Sequence, residues 1–150
     1  MNAESLERPS EGDNVQPTFS WPLRIYYEDT DLSGVVYHAN YLRYFERART
    51  EWVRALGLAQ DRLMQSEGLA FTVADLQIRY LRPARLDDDL EVTVTVAQRR
   101  RASLLFEQQL RRQRDPNEIL ATAQVRVACV DVRNFRPRPL PALLMKGERS

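Results

Sequence analysis

One change of hydrophobic period organises this chain. From Asn40 onward, Tyr41, Tyr44, Phe45, Ala48, Trp52 and Leu56 recur at three- and four-residue spacing, with Arg43, Glu46, Arg47, Arg49, Glu51 and Arg54 between them. That spacing predicts a helix of about four to five turns with one apolar face. Asn40 reads as its N-cap and Gly57 as its stop. A shorter helical piece over residues 59–66 closes at Gly68, and beyond it the period becomes two. Phe71 and Val73 are followed, after a parity change around Ala74 and Asp75, by Leu76, Ile78 and Tyr80. Leu90, Val92, Val94 and Val96 then alternate, as do Leu104, Phe106, Gln108 and Leu110, and Ala121, Ala123, Val125, Val127 and Cys129. Four strands are predicted, the first with a bulge. Residues 23–28 read as one earlier strand, and "RPARLDDD", "RRRA" and "RDPNE" as short turns of hairpin type.

A strand, a long helix and four consecutive antiparallel strands make an α+β order, because no βαβ alternation occurs. The apolar helix face must be covered, and a curved antiparallel sheet is the surface available to cover it. The chain of 150 residues, 43% hydrophobic, is one domain's worth and has enough apolar content for a core. Residues 1–20 read as a disordered extension, 21–141 as the folded domain, and 142–150 as a tail after the run of Pro137, Pro139 and Pro141. With 22 basic against 21 acidic side chains, no overall field draws the fold to nucleic acid or an anionic membrane. The N-terminal stretch has neither the basic nor the apolar region of a secretory signal, and no segment suits membrane insertion. A single cysteine, Cys129, and a single histidine, His38, exclude an internal disulfide and the usual zinc sites. No metal and no redox cofactor are expected, and a reducing, cytoplasmic setting is the simplest.

The segment "YYEDTDLSGVVYHANYLRYFERAR" joins the first strand to the long helix. With the helix beginning at Asn40, the backbone N–H groups of His38 and Ala39 fall at its positive end, free for an oxyanion. Gly34 permits a positive φ and close approach of a ligand to backbone. Asp29 or Asp31 can bring a carboxylate to the same place. A carboxylate with oxyanion donors, but no Ser-His pair and no metal, suits a substrate whose leaving group departs easily. A thioester qualifies, since a thiolate of pKa about 8.5 needs little protonation. The same residues also suit an ordinary capping turn with a packed histidine, and composition alone leaves both readings open.

"YYEDTDLSGVVYHANYLRYFERARTEWVR", "YLRPARLDDDLEV" and "CVDVRNFRPRPLP" closely resemble the hotdog-fold acyl-CoA thioesterases of the 4-hydroxybenzoyl-CoA thioesterase family, specifically the YbgC-type subfamily encoded with the Tol-Pal cell-envelope system. The likeness runs from about Leu23 to Pro141. It implies five antiparallel strands wrapping a central helix, and acyl-CoA hydrolysis with coenzyme A entering as part of the substrate. Position by position, it places the catalytic aspartate on Asp31, the active-site histidine on His38, and the oxyanion donor on the His38 N–H. Gly34, Val35, Tyr37, Ala39 and Asn40 would line the substrate on one side, and Phe71, Thr72 and Val73 on the other. Leu32 and Ser33 depart from the smaller or proline-containing pairs of relatives.

Arg82 and Arg85 are candidates for the phosphates of coenzyme A, while Arg99, Arg100 and Arg101 read first as a hairpin turn. Asp29 and Glu28 read as turn and surface groups, and Cys129, Trp52 and Phe45 as core. Two other functions share the fold: a protein that binds acyl chains or acyl carrier protein with little turnover, and a dehydratase of hydroxyacyl thioesters. Open sheet edges, and the shared active sites that the resemblance implies, lead to the expectation of a homodimer or tetramer.

Overall fold

The computed structural model describes residues 19–145. Its elements are β1 (Phe19–Arg24), α1 (Asn40–Ala55), α2 (Gln60–Arg62, continued by a wide turn over Leu63–Glu67), β2 (Leu69–Tyr80), β3 (Asp89–Arg100), β4 (Ser103–Arg112), β5 (Asp115–Asp131) and α3 (Ala142–Met145). The expected disordered extension falls largely outside the described residues, as does the end of the tail, residues 146–150.

The five strands form one antiparallel sheet in the order β1-β3-β4-β5-β2. The helix lies against one face of it. Tyr41, Tyr44, Phe45, Ala48, Trp52 and Val53 are its buried side chains, and Trp52 meets Phe106 of β4 edge-on, ring centres 5.4 Å apart. The inward positions of the strands match the period-two reading: Leu90, Val92, Val94, Leu104, Phe106, Leu110, Ala121, Ala123, Val125 and Cys129 are all buried. The parity change in β2 is a register shift between Val73 and Asp75.

Three local expectations are corrected. The first strand is Phe19–Arg24, not residues 23–28. Phe19, Trp21 and Leu23 are its partly buried side, and Pro22 is tolerated because β1 is an edge strand. Residues Tyr27–Asp29 instead wind into a 3₁₀ turn, stabilised by the Asp29 carboxylate accepting the Tyr26 N–H at 2.8 Å. Second, "RPARLDDD" is no hairpin. Its flanking strands β2 and β3 are separated by β4 and β5, so the segment crosses one end of the sheet. Third, Asn40 does not cap its own helix, whose first turn closes through i→i−3 bonds from Asn40, Tyr41 and Leu42. The Asn40 amide reaches back and donates to the Asp29 carbonyl at 3.1 Å.

Candidate active site

The turn between β1 and α1 is held from three directions. Within it, the Asp31 N–H donates to Val35 O at 2.9 Å and the Gly34 N–H to Asp31 O at 3.1 Å. Gly34 has φ +83°, a conformation that L side chains rarely adopt, while nothing lies within 4 Å of where a Cβ would stand; the backbone angle, not space, calls for glycine. From the crossover, Val35 bridges Arg85, and the Val36 N–H donates to Ala84 O at 2.8 Å. The Ala84 N–H in turn donates to the Tyr41 hydroxyl at 3.0 Å, in a buried contact. From the 3₁₀ turn, Asp29 O accepts both the Tyr37 N–H and the Asn40 amide.

These bonds fix the start of α1 but leave two donors over. Among the described residues, neither the His38 nor the Ala39 backbone N–H has an acceptor. They stand at the positive end of a helix spanning 16 residues, a place that favours negative charge. The His38 ring is exposed, 4.7 Å from the Tyr37 ring centre and 6.2 Å from that of Tyr80, and its carbonyl accepts the Tyr80 hydroxyl at 3.2 Å.

Asp31 is exposed. Its Oδ1 accepts the Ser33 hydroxyl at 2.6 Å and the Ser33 N–H at 2.8 Å. The Ser33 side chain first, and its backbone second, hold the Asp31 carboxyl below the ordinary carboxylate range. The group is therefore an anion at neutral pH. Asp29, the neighbouring acid, is committed to the Tyr26 N–H, in keeping with its reading as a turn residue.

Of the other expected site residues, Gly34, Val35, Tyr37, Ala39 and Asn40 share the turn with Asp31 and His38. Arg82 and Arg85 flank it on the crossover; Arg82 stands 3.8 Å from Glu118, and the Arg85 side chain is exposed. Phe71, Thr72 and Val73 lie elsewhere. They line a cavity of about 90 Å³ together with Arg49, Thr50 and Phe106, and neither Asp31 nor His38 borders it. Thr72 sits near the start of β2 and Tyr80 at its end, roughly 26 Å apart at about 3.3 Å per residue. One chain does not bring the two sets together.

Reading the sequence residue by residue missed Ser33, Gln108 and Arg49. An Asp two residues before a Ser is a recognisable Asx-turn pattern, so Ser33 had a signal. Gln108 occupied an inward position between Phe106 and Leu110, and a polar residue there marks a buried partner. Its partner is the Arg49 guanidinium, which donates to the Gln108 side-chain oxygen at 3.1 Å, and nothing in the sequence identified it.

A helix on a five-stranded antiparallel sheet, with an acid and free backbone donors at the helix start, defines a thioesterase-type hotdog domain. Residues 26–147 match the family described as the thioesterase-like superfamily. The chain belongs to that superfamily and, within it, to the YbgC acyl-CoA thioesterases. It is 49% identical to the acyl-CoA thioesterase YbgC of Haemophilus influenzae over 123 residues, covering 82% of this chain and 88% of that one. Among solved structures, a probable thioesterase from Bartonella henselae superposes with a TM-score of 0.76 at 36% identity, over 83% of this chain and all of that one. A 1,4-dihydroxy-2-naphthoyl-CoA thioesterase from Synechocystis, 24% identical, shares the fold with a TM-score of 0.78, over 85% of this chain and 92% of that one. Among the described residues no group of side chains is suited to a metal ion, and no helix is long and apolar enough to cross a membrane.

Proposed function

We propose that this protein is an acyl-CoA thioesterase whose reaction is carried by Asp31 and by the backbone N–H groups at the start of α1. The observation that carries this reading is the pairing, within one turn, of an ionised carboxylate with two helix-terminal donors that have no other acceptor. The thioester carbonyl oxygen accepts from the His38 and Ala39 N–H groups, which stabilise it more strongly as it gains negative charge. Asp31 takes a proton from the attacking water, or attacks the carbonyl itself to form an anhydride that water then opens. Either route adds one water, releases the free acid and expels coenzyme A as a thiolate that takes up the remaining proton. The exposed His38 ring orients the thioester or water beside Tyr37 and Tyr80. Arg85, on the flank of the turn, is the better placed of the two arginines for the phosphates of coenzyme A.

The working unit in this reading is a dimer with shared sites. β2 is an edge strand that exposes Val73, Leu76 and Tyr80, and such an edge invites pairing. Antiparallel pairing of two β2 strands about a two-fold axis at Leu76 sets Thr72 of one copy opposite Tyr80 of the other. The 71–73 segment then meets the catalytic turn that its own chain holds at the far end of the strand. A cytoplasmic setting suits both the substrate and a single buried thiol. Acyl carrier protein, which holds acyl groups in the same thioester linkage, is a second donor consistent with this chemistry.

The test is release of free thiol from acyl-CoA by the purified protein and by Asp31→Asn. Turnover by the wild type, reduced about 10²- to 10⁴-fold in the variant, is expected. Turnover unaffected by the substitution would refute the assignment of Asp31, and no turnover across a chain-length panel would refute the enzyme reading.

A further inference from the structure

The cavity that Phe71, Thr72 and Val73 line is not uniformly apolar. Phe106, Val127, Leu104 and Val53 form its greasy walls, but Arg49 also borders it. This residue is half-buried, and desolvation lowers the guanidinium pKa against the opposing pull of Glu46. Its Nη1 donates to Gln108 Oε1 at 3.1 Å. Gln108 is 2% exposed and donates through Nε2 to Phe45 O at 3.0 Å, so its amide is oriented and the guanidinium with it. Among the described residues the Nε and Nη2 groups of Arg49 have no acceptor, and Arg49 closes no ion pair with a carboxylate. A desolvated cation with unused donors costs stability that an apolar residue of like volume would not. Such a group beside a ligand-sized space points to recognition.

Resting on the thioesterase reading above, we propose that Arg49, oriented by Gln108, is a specificity residue that donates a hydrogen bond to a neutral oxygen on the acyl chain, so that hydroxylated acyl groups are preferred to plain alkyl groups of the same size. The choice of a neutral oxygen over a carboxylate comes from Glu46, which borders the same cavity. Its charge would repel a second anion, whereas a hydroxyl can accept from Arg49 and donate to Glu46. The volume, about 90 Å³, is below the roughly 150 Å³ of an engineered cavity that takes up benzene, which sets the scale at a short chain. A site built to hydrogen-bond an oxygen discriminates against the analogue lacking it, because its donors are then left buried and unpaired.

The experiment compares kcat/KM for 3-hydroxybutyryl-CoA and 3-methylbutyryl-CoA, which have equal numbers of heavy atoms, with succinyl-CoA as an anionic third arm. The wild type is expected to favour the hydroxylated substrate about tenfold or more over both others. Arg49→Met should abolish that preference, lowering kcat/KM for 3-hydroxybutyryl-CoA more than for 3-methylbutyryl-CoA, and Arg49→Lys should restore part of it. Equal rates for the first two substrates in the wild type would overturn the proposal whatever the variants do, as would a preference for succinyl-CoA. Dissociation of the assembly in Arg49→Met, read by sedimentation, would also overturn it, since Arg49 would then serve the contact between copies. Failure of the thioesterase reading looks different: none of the three substrates would be hydrolysed.

Discussion

Ser33 donates two hydrogen bonds to one carboxylate oxygen of Asp31, from its hydroxyl at 2.6 Å and from its N–H at 2.8 Å. Both favour the ionised acid, and the hydroxyl is the larger cause of the lowered pKa. Ser33→Ala removes that cause, so the Asp31 pKa should rise. With Asp31 acting as an anion, the acid limb of the pH profile of kcat/KM should move to higher pH, with the rate at neutral pH changed little. A limb that stays in place would show that another group titrates there.

Two tyrosines three residues apart on α1 should respond oppositely to loss of their hydroxyls. The Tyr41 oxygen accepts the Ala84 N–H, so Tyr41→Phe leaves a buried donor unpaired and should cost about 1–3 kcal/mol. The Tyr44 hydroxyl is buried with no hydrogen bond of good geometry, and burial first, then the charge and close approach of the Asp29 carboxylate, push its pKa well above the ordinary phenol value. Tyr44→Phe removes an unpaired polar group and should leave stability unchanged or higher. Denaturant unfolding of both variants checks the pair, and a large loss in Tyr44→Phe would reveal a missing partner. Because Ala84 also accepts from Val36, Tyr41→Phe should lower activity along with stability.

These contrasts mark what was legible in the sequence. The helix face and the inward strand positions followed from spacing, since burial repeats every 3.6 or two residues whatever the neighbours are. The bulge at Ala74 was legible for the same reason. Strand pairing was not: "RPARLDDD" has the polar residues of a turn, and only the distant pairing of β2 with β5 makes it a crossover. The first strand was misplaced because Pro22 suggested a boundary, although an edge strand tolerates proline. The Asp31 turn was found through its likeness to a family, and its donors through helix geometry. Tyr80 on His38 and Gln108 on Arg49 are contacts between residues 42 and 59 positions apart, with no local trace.

Acid should reveal a different carboxylate. Asp131 is buried at the end of β5 and accepts hydrogen bonds from Arg133 and Arg138. The Arg133 side chain first, and its N–H next, lower the Asp131 pKa from 3.8 to about 2. A folded-state pKa below the unfolded one stabilises the fold above the unfolded value, and the contribution fades as pH falls through the folded value. Asp131→Asn should therefore melt below the wild type at neutral pH, and the gap should close between about pH 4 and pH 2. A gap of constant size across that range would mean that ionisation of Asp131 plays no part in the loss.

The proposed division of the site between two copies makes the strongest demand. Thr72 and the Asp31 turn lie at opposite ends of β2, and in the proposed dimer pairing about Leu76 would bring one copy's segment to the other's turn. An Asp31→Asn chain and a Thr72→Pro chain should each be inactive alone. When the two are mixed and allowed to exchange, half the dimers are hybrids, and each hybrid holds one intact site: Asp31 from one chain, Thr72 from the other. Activity should return to roughly a quarter of wild type, the proportion that random pairing and one site in two predict. Leu76→Arg, which places like charges together at the axis, should yield inactive monomers that retain the circular dichroism of the fold. A fully active monomer would require Asp31, His38 and their donors to work without the 71–73 segment, and the shared-site arrangement would then be wrong.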